Sequence, residues 1–151
     1  MATAITDIVN NLYTLIGTSL SSYTELPDPY TIENNTELFL KKGYAVGIGG
    51  ASNEQERGES CSRWIRRSFS FTLTNKVTTT RENTTAIKTI QKSIMEDQET
   101  VLQAIYDDST LSGKAIDITY TDDTGIQYLD INEIKYFSVT STFEVLYRKQ
   151  T

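Results

Sequence analysis

A chain of 151 residues, 38% hydrophobic and 23% charged, can bury a core as one domain, and it has no apolar run near the roughly 20 residues a membrane helix needs. The formal net charge of -6 argues against general nucleic-acid binding, where affinity comes mainly from clustered Lys and Arg. With no histidine and a single cysteine, the chain has no Ser-His-Asp or Cys-His nucleophile pair, none of the usual zinc sites and no internal disulfide.

The N-terminal MATAITDIVNNLY lacks a basic flank ahead of an apolar block, so no signal peptide is expected. The chain reads as made and used inside a cell, or in a particle assembled there. Ile5, Ile8, Val9, Leu12, Leu15, Ile16 and Leu20 then recur at helical spacing and predict an amphipathic helix over 5–20. Thr3 and Thr6 are its candidate caps, and Gly17 is expected to weaken or end its last turn. ELPDPYTIENNTE, residues 25–37, carries both prolines and reads as a connection.

Alternation at Leu38 and Leu40, then at Tyr44, Val46 and Ile48, predicts strand with a bend at Gly43. SFSFTLTNKV places Phe69, Phe71 and Leu73 on one side and Ser70, Thr72 and Thr74 on the other, as a half-buried strand does. Residues 84–106 predict the clearest helix. Asn83 is its cap, Ile87, Ile90, Ile94, Val101 and Ile105 form its stripe, and Met95, Leu102 and Tyr106 widen that stripe. AIDITYT (115–121) and YFSVTSTFEVLYR (136–148) predict two more strands. TDDTG and LDINEI read as turns around a short strand near Ile126 and Tyr128. The expected class is α+β, with two helices on one face of a mostly antiparallel sheet, and residues 1–151 are expected to form one domain.

The motifs with chemical potential each meet a plainer reading. Gly47, Gly49 and Ser52 approach a dinucleotide fingerprint, but polar NEQERGES follows where a helix should open, and its three glutamates repel phosphate. Asp122 to Gly125 contains the Asp-Thr-Gly of aspartic proteases, yet aspartates and a glycine between alternating strands are a hairpin signal. Cys61 has arginines nearby and no histidine partner. RWIRR could stack on nucleic acid, but with Glu54, Glu56 and Glu59 close by it suits a protein interface, where Trp and Arg are favoured anchors. The sequons at Asn34 and Asn83 lack a secretory context. No catalytic set emerges, so no enzyme, cofactor or metal is expected.

What remains is a long mixed-charge excursion between two strands. Unstructured loops of that length are uncommon unless functional or disordered, and this one is expected to be a mobile arm that docks onto neighbours. Gly50, Ser52, Glu54, Glu56, Arg57, Glu59, Arg63, Trp64 and Arg66 are the candidate assembly residues. Polar strand faces and open sheet edges are expected to add subunit contacts.

The order ITDIVNNLYTLI, YAVGIGG…RWIRRSFSFTLT, TAIKTIQKSIMEDQETVLQAI, YFSVTSTFEVLYR resembles the tail terminator proteins of long-tailed bacteriophages. These have an N-terminal helix, a strand pair joined by a long mobile loop, a second helix on the sheet, and C-terminal strands. The resemblance covers most of the chain and is one of layout, since the family has no sharp motif. It implies a structural virion subunit, made in the host cytoplasm and placed in the tail. Such a subunit forms a hexameric ring on the tail tube protein, stops tube growth and offers a surface to the head-tail connector protein. DNA would be only passing cargo and no membrane would be involved. A head-tail neck or completion protein is the nearest alternative, and a generic α+β protein-binding module the next.

Overall fold

The structure is a computed structural model and describes residues 4–25, 42–54, 64–77, 82–108, 115–131 and 134–148. Helix α1 (Ala4–Ser19) buries Ile8, Leu12 and Ile16, with Leu20 just past its end. These positions four residues apart lie on one helical face. Gly17 does not end the helix, which runs on to Ser19. Thr6 lies inside α1, so it is not the cap; Thr3 lies outside the described residues.

The sheet contains β1 (Thr24–Glu25), β2 (Lys42–Glu54), β3 (Trp64–Lys76), β4 (Ala115–Asp123), β5 (Gln127–Ile131) and β6 (Ile134–Arg148). Their spatial order is β1-β2-β3-β6-β4, with β5 also on β6. Only β1 runs parallel to its neighbour. β3 and β6 pair without a register break from Trp64↔Arg148 to Lys76↔Tyr136. Phe69, Phe71 and Leu73 therefore share a face with Phe143, Val139 and Val145, and all six are buried. The alternation read in SFSFTLT is borne out.

Helix α2 (Thr84–Asp107) begins at the expected cap: Asn83 Oδ1 accepts from the Ala86 N–H at 3.1 Å. It lays Ile94, Val101 and Ile105 against the same sheet face as α1, within one core. The fold is thus α+β, two helices on one face of a mostly antiparallel sheet. Fully burying a side chain such as Ile94 contributes about 1.5–3 kcal/mol.

Two polar groups enter this core with partners. Gln98, on the buried face of α2, donates from Nε2 to Ser141 Oγ at 2.6 Å and to Asp123 Oδ2 at 2.5 Å. Tyr23, just past α1, donates to Asp97 Oδ2 at 2.7 Å and accepts from Asn75 Nδ2 at 2.8 Å. Burial, then the Asp97 bond, pushes the Tyr23 hydroxyl far above its ordinary range, so it stays protonated. Lys42 completes this knot, 3.8 Å from Asp97 and 5.4 Å above the Tyr23 ring.

Three expectations are corrected. Asp122–Gly125 does not close a hairpin: β4 and β5 both pair with β6, Asp123 opposite Ser141 and Gln127 opposite Ser138. The segment between them turns through Gly125, whose φ of +68° favours glycine, while the Thr124 N–H bonds to the Thr140 carbonyl. The two strands run on along one partner instead of folding back. Ile126 lies in that interruption, whereas Tyr128 is in β5; of the turn expected over LDINEI, Leu129 to Ile131 are strand and Ile131 pairs with Ile134, while residues 132 and 133 lie outside the described residues. Next, Met95 and Tyr106 do not widen the buried stripe; they are 53% and 79% exposed, because the sheet reaches only the stripe beside them. Finally, β2 carries its irregularity between Ile48 and Ala51, not at Gly43, which pairs regularly with Thr74. Leu38 and Leu40 lie outside the described residues.

Neighbouring positions on α2 provide a direct check. Ile94→Ala removes a side chain with no exposure and is expected to cost about 2–5 kcal/mol in urea denaturation. Met95→Ala should stay within about 0.5 kcal/mol of wild type.

Candidate assembly interface

β2 changes character along its length. Gly43 to Val46 are buried, whereas Ile48 to Ala51 are exposed. The register shift falls at this change, where Ile48 pairs with Phe69 but Ala51 with Arg67, leaving one extra residue on β2. Such a bulge bends a strand and re-aims the residues beyond it.

Gly49 makes the bulge possible, because a Cβ there would lie 2.9 Å from Ser68 Cβ and 3.3 Å from its carbonyl oxygen. Arg67 then ties the bulge down. Its guanidinium donates to the Gly49 carbonyl at 3.0 Å and to the Tyr147 hydroxyl at 3.1 Å, and Tyr147 is itself buried. An arginine fork joining two strands holds both in one geometry.

Past the bulge the strands stay paired: Ser52↔Arg66, Asn53↔Ile65 and Glu54↔Trp64. Gly50, Ser52 and Glu54 are therefore strand residues, not part of a loop, and Trp64 and Arg66 begin β3. The expected excursion from Gly50 to Arg63 contracts accordingly. Glu56, Arg57, Glu59, Cys61 and Arg63 lie outside the described residues. Trp64 and Arg66 are on the sheet face opposite the helices, since β3 alternates regularly and Phe69 faces them. The Arg148 guanidinium lies 6.0 Å from the Trp64 ring centre, and Arg66 stands 3.9 Å from Glu144. Together they make a cation-aromatic surface at one end of the sheet.

Both sheet edges carry devices that discourage strand addition. On the β2 side, β1 covers Gly43 and Tyr44, and the Tyr13 hydroxyl accepts from the Val46 N–H at 3.4 Å. On the β4 side, the register breaks twice, between Ala115 and Asp117 and between Tyr120 and Asp122. Bulges and charges on an edge are recognised guards against edge-to-edge pairing.

Beside β4 a cleft of about 780 Å³ runs between that strand and α2, lined by Leu102, Tyr106, Ile118 and Tyr120 with Glu99 and Asp117 among its polar groups. Its Tyr120 wall is braced by Asp123, which accepts from the Tyr120 hydroxyl at 2.9 Å, from Gln98 and from the Gly125 N–H at 2.6 Å. Burial pushes the Asp123 carboxyl up, but the Gly125, Tyr120 and Gln98 donors together bring it below its ordinary value. A carboxylate so fully bonded is an anchor rather than a free base. The sequence hid this site, because Gln98 sits at a core position in a polar residue type and the Asp122–Gly125 segment read as a turn.

Among the described residues no group of three or more His, Cys, Asp or Glu side chains could hold a metal ion, and no helix is long and apolar enough to cross a membrane. No protein-family model matches the chain, and no curated protein matches it.

Gly49→Ala should destabilise by about 1–3 kcal/mol through overpacking against Ser68. Gly50→Ala, with open space around its Cβ position, should be near neutral; thermal melts of both distinguish the two. Asp123 adds a pH signature. Its folded pKa is lowered, so its contribution is present above the ordinary value of 3.8 and is lost as pH falls through the folded value. Chemical denaturation across about pH 5 to 2 should show wild type losing more stability than Asp123→Asn.

Proposed function

We propose that this chain is a structural virion subunit of a long-tailed bacteriophage, closing the tail tube as a ring, stopping its growth and offering the surface to which the head is joined. The observation that carries the reading is the β2–β3 hairpin. Its exposed half is held at a defined angle by the Gly49 bulge and the Arg67 fork, and it carries Trp64 and Arg66 at its far end. A rigidly based hairpin with an aromatic-arginine far end is suited to gripping a neighbouring subunit, because such side chains anchor interfaces.

Other features support the same reading. The guarded edges leave side-chain docking, rather than continuous sheet, as the way for copies to associate. Associating through different surfaces on each copy gives rings when the rotation closes. The partners are further copies of the chain, the tube protein and the head-tail connector. DNA passes through without being bound, and an acidic subunit limits its adhesion.

The test replaces residues 55–63 with Asn-Gly, a two-residue turn that joins strands ending at Glu54 and starting at Trp64. The melting temperature should stay near that of wild type while rings vanish, with overlong tails lacking heads in negative-stain micrographs of the phage. Tails of normal length joined to heads would overturn the proposal. Tails of normal length without heads would instead indicate a neck completion protein.

A further inference from the structure

The apolar face of α2 is wider than the sheet beneath it. Met95, Leu102 and Tyr106, with Glu99 between them, follow one another at helical spacing along the flank nearest β4. Met95 is 53% and Tyr106 79% exposed, and across the cleft Tyr120 is 48% exposed. Two large exposed hydrophobic side chains, Tyr106 and Tyr120, thus line one cleft, and Met95 lies one helical turn before Glu99 of its lining. Exposed aromatic surface of this kind marks a contact site.

The charges around it share one sign. Glu99, the charged residue that α2 brings to the cleft, is acidic, and an adjoining hollow along α2 adds Asp107; Asp117 lines the cleft from β4 but pairs with Leu146, as Arg66 does, and so lies on the Arg66 face of the sheet. The surface with matching chemistry is on the chain itself, where Arg148 lies on Trp64 and Arg66 stands beside Glu144. The cleft opens on the helix side of the sheet and the Trp64 surface lies on the other. One copy cannot join the two, whereas successive copies can, each offering its Trp64 surface to the next one's cleft. The two register breaks in β4 oppose extension of the sheet at this edge, so contact is by side chains entering the cleft.

We infer that the α2–β4 cleft is the seat for the Trp64–Arg66–Arg148 surface of a second copy of this chain. The inference rests on the ring reading and names the contact that closes it. The bound arginines replace solvent around Glu99 and Asp107, and the Trp64 ring covers Tyr106 and Leu102. Complementary charge of this kind sets register and weakens with salt.

A charge exchange tests it on the full chain by sedimentation velocity, with circular dichroism and melting curves as folding controls. Glu99→Lys with Asp107→Lys places positive charge along the α2 wall of the cleft. Arg66→Glu with Arg148→Glu places negative charge on the opposing surface. Each double variant alone should self-associate at least about a hundredfold more weakly than wild type, the effect of several kcal/mol of like-charge contact. Mixing the two should restore association, because each cleft then meets a surface of opposite sign. Tyr106→Ser, at a position too exposed to matter for folding, should weaken association without moving the melting temperature. If wild type forms rings and these variants do so equally well, the ring reading stands and the cleft is overturned as its contact. If wild type stays monomeric at all concentrations, self-association through the cleft is overturned too, and a foreign protein becomes its occupant. A mixture that fails to associate while both variants remain folded also overturns it.

Discussion

The unbroken pairing of β3 with β6 is the constraint on which the rest of the architecture depends. Two strands held in one register from Trp64↔Arg148 to Lys76↔Tyr136 have a side-chain period of two throughout. A slip by one residue would carry Phe69, Phe71, Phe143 and Val145 from the helices to solvent. That penalty fixes the register, and the register in turn decides what each end of the sheet presents. Toward the helices it offers a continuous aromatic and aliphatic layer. On the other side it offers hydroxyls, such as Thr72 and Thr140 with their oxygens 2.9 Å apart, and at one end the Trp64 and Arg148 pair.

Polar groups do the fine positioning. Gln98 reaches from the helix layer to Ser141 in β6 and to Asp123 at the end of the edge strand β4, so α2 is keyed to β6 and to the start of the β4–β5 interruption at once. Tyr23 does the same where the first helix returns to the sheet, meeting Asp97 and Asn75. A buried amide or phenol is costly when its partners are lost, so these contacts select one placement of each helix among several that an apolar face alone would allow.

Much of this was legible in the residues. Strong periodicity gave both helices and β3, and Asn83 marked the start of α2, because these signals depend on neighbours in sequence. The β4–β5 arrangement was hidden, because a run of turn-forming residues such as Asp122–Gly125 reports local backbone geometry and cannot say which strand lies alongside. Met95 and Tyr106 look like core by spacing, yet whether an apolar face is covered depends on the width of what packs against it. The bulge at Gly49 was obscured by its glycine neighbours, which read together as a nucleotide motif or a loop, and only the close approach of Ser68 distinguishes it. Arg67 was read as one of several arginines, and its fork onto Gly49 and Tyr147 requires knowing that Tyr147 pairs with Ile65 across the sheet.

The place of β6 in the chain has a consequence for biogenesis. It is the partner shared by β3, β4 and β5, yet it follows all three in sequence. During synthesis β3 can pair with β2 alone, and β4 and β5 have no strand among those described to lie against until residues 134–148 emerge from the ribosome. A polypeptide arrested earlier would keep its hydrophobic layer half assembled, a species prone to aggregation and degradation. Emergence of residues 134–148 therefore acts as a checkpoint on which copies reach a native state.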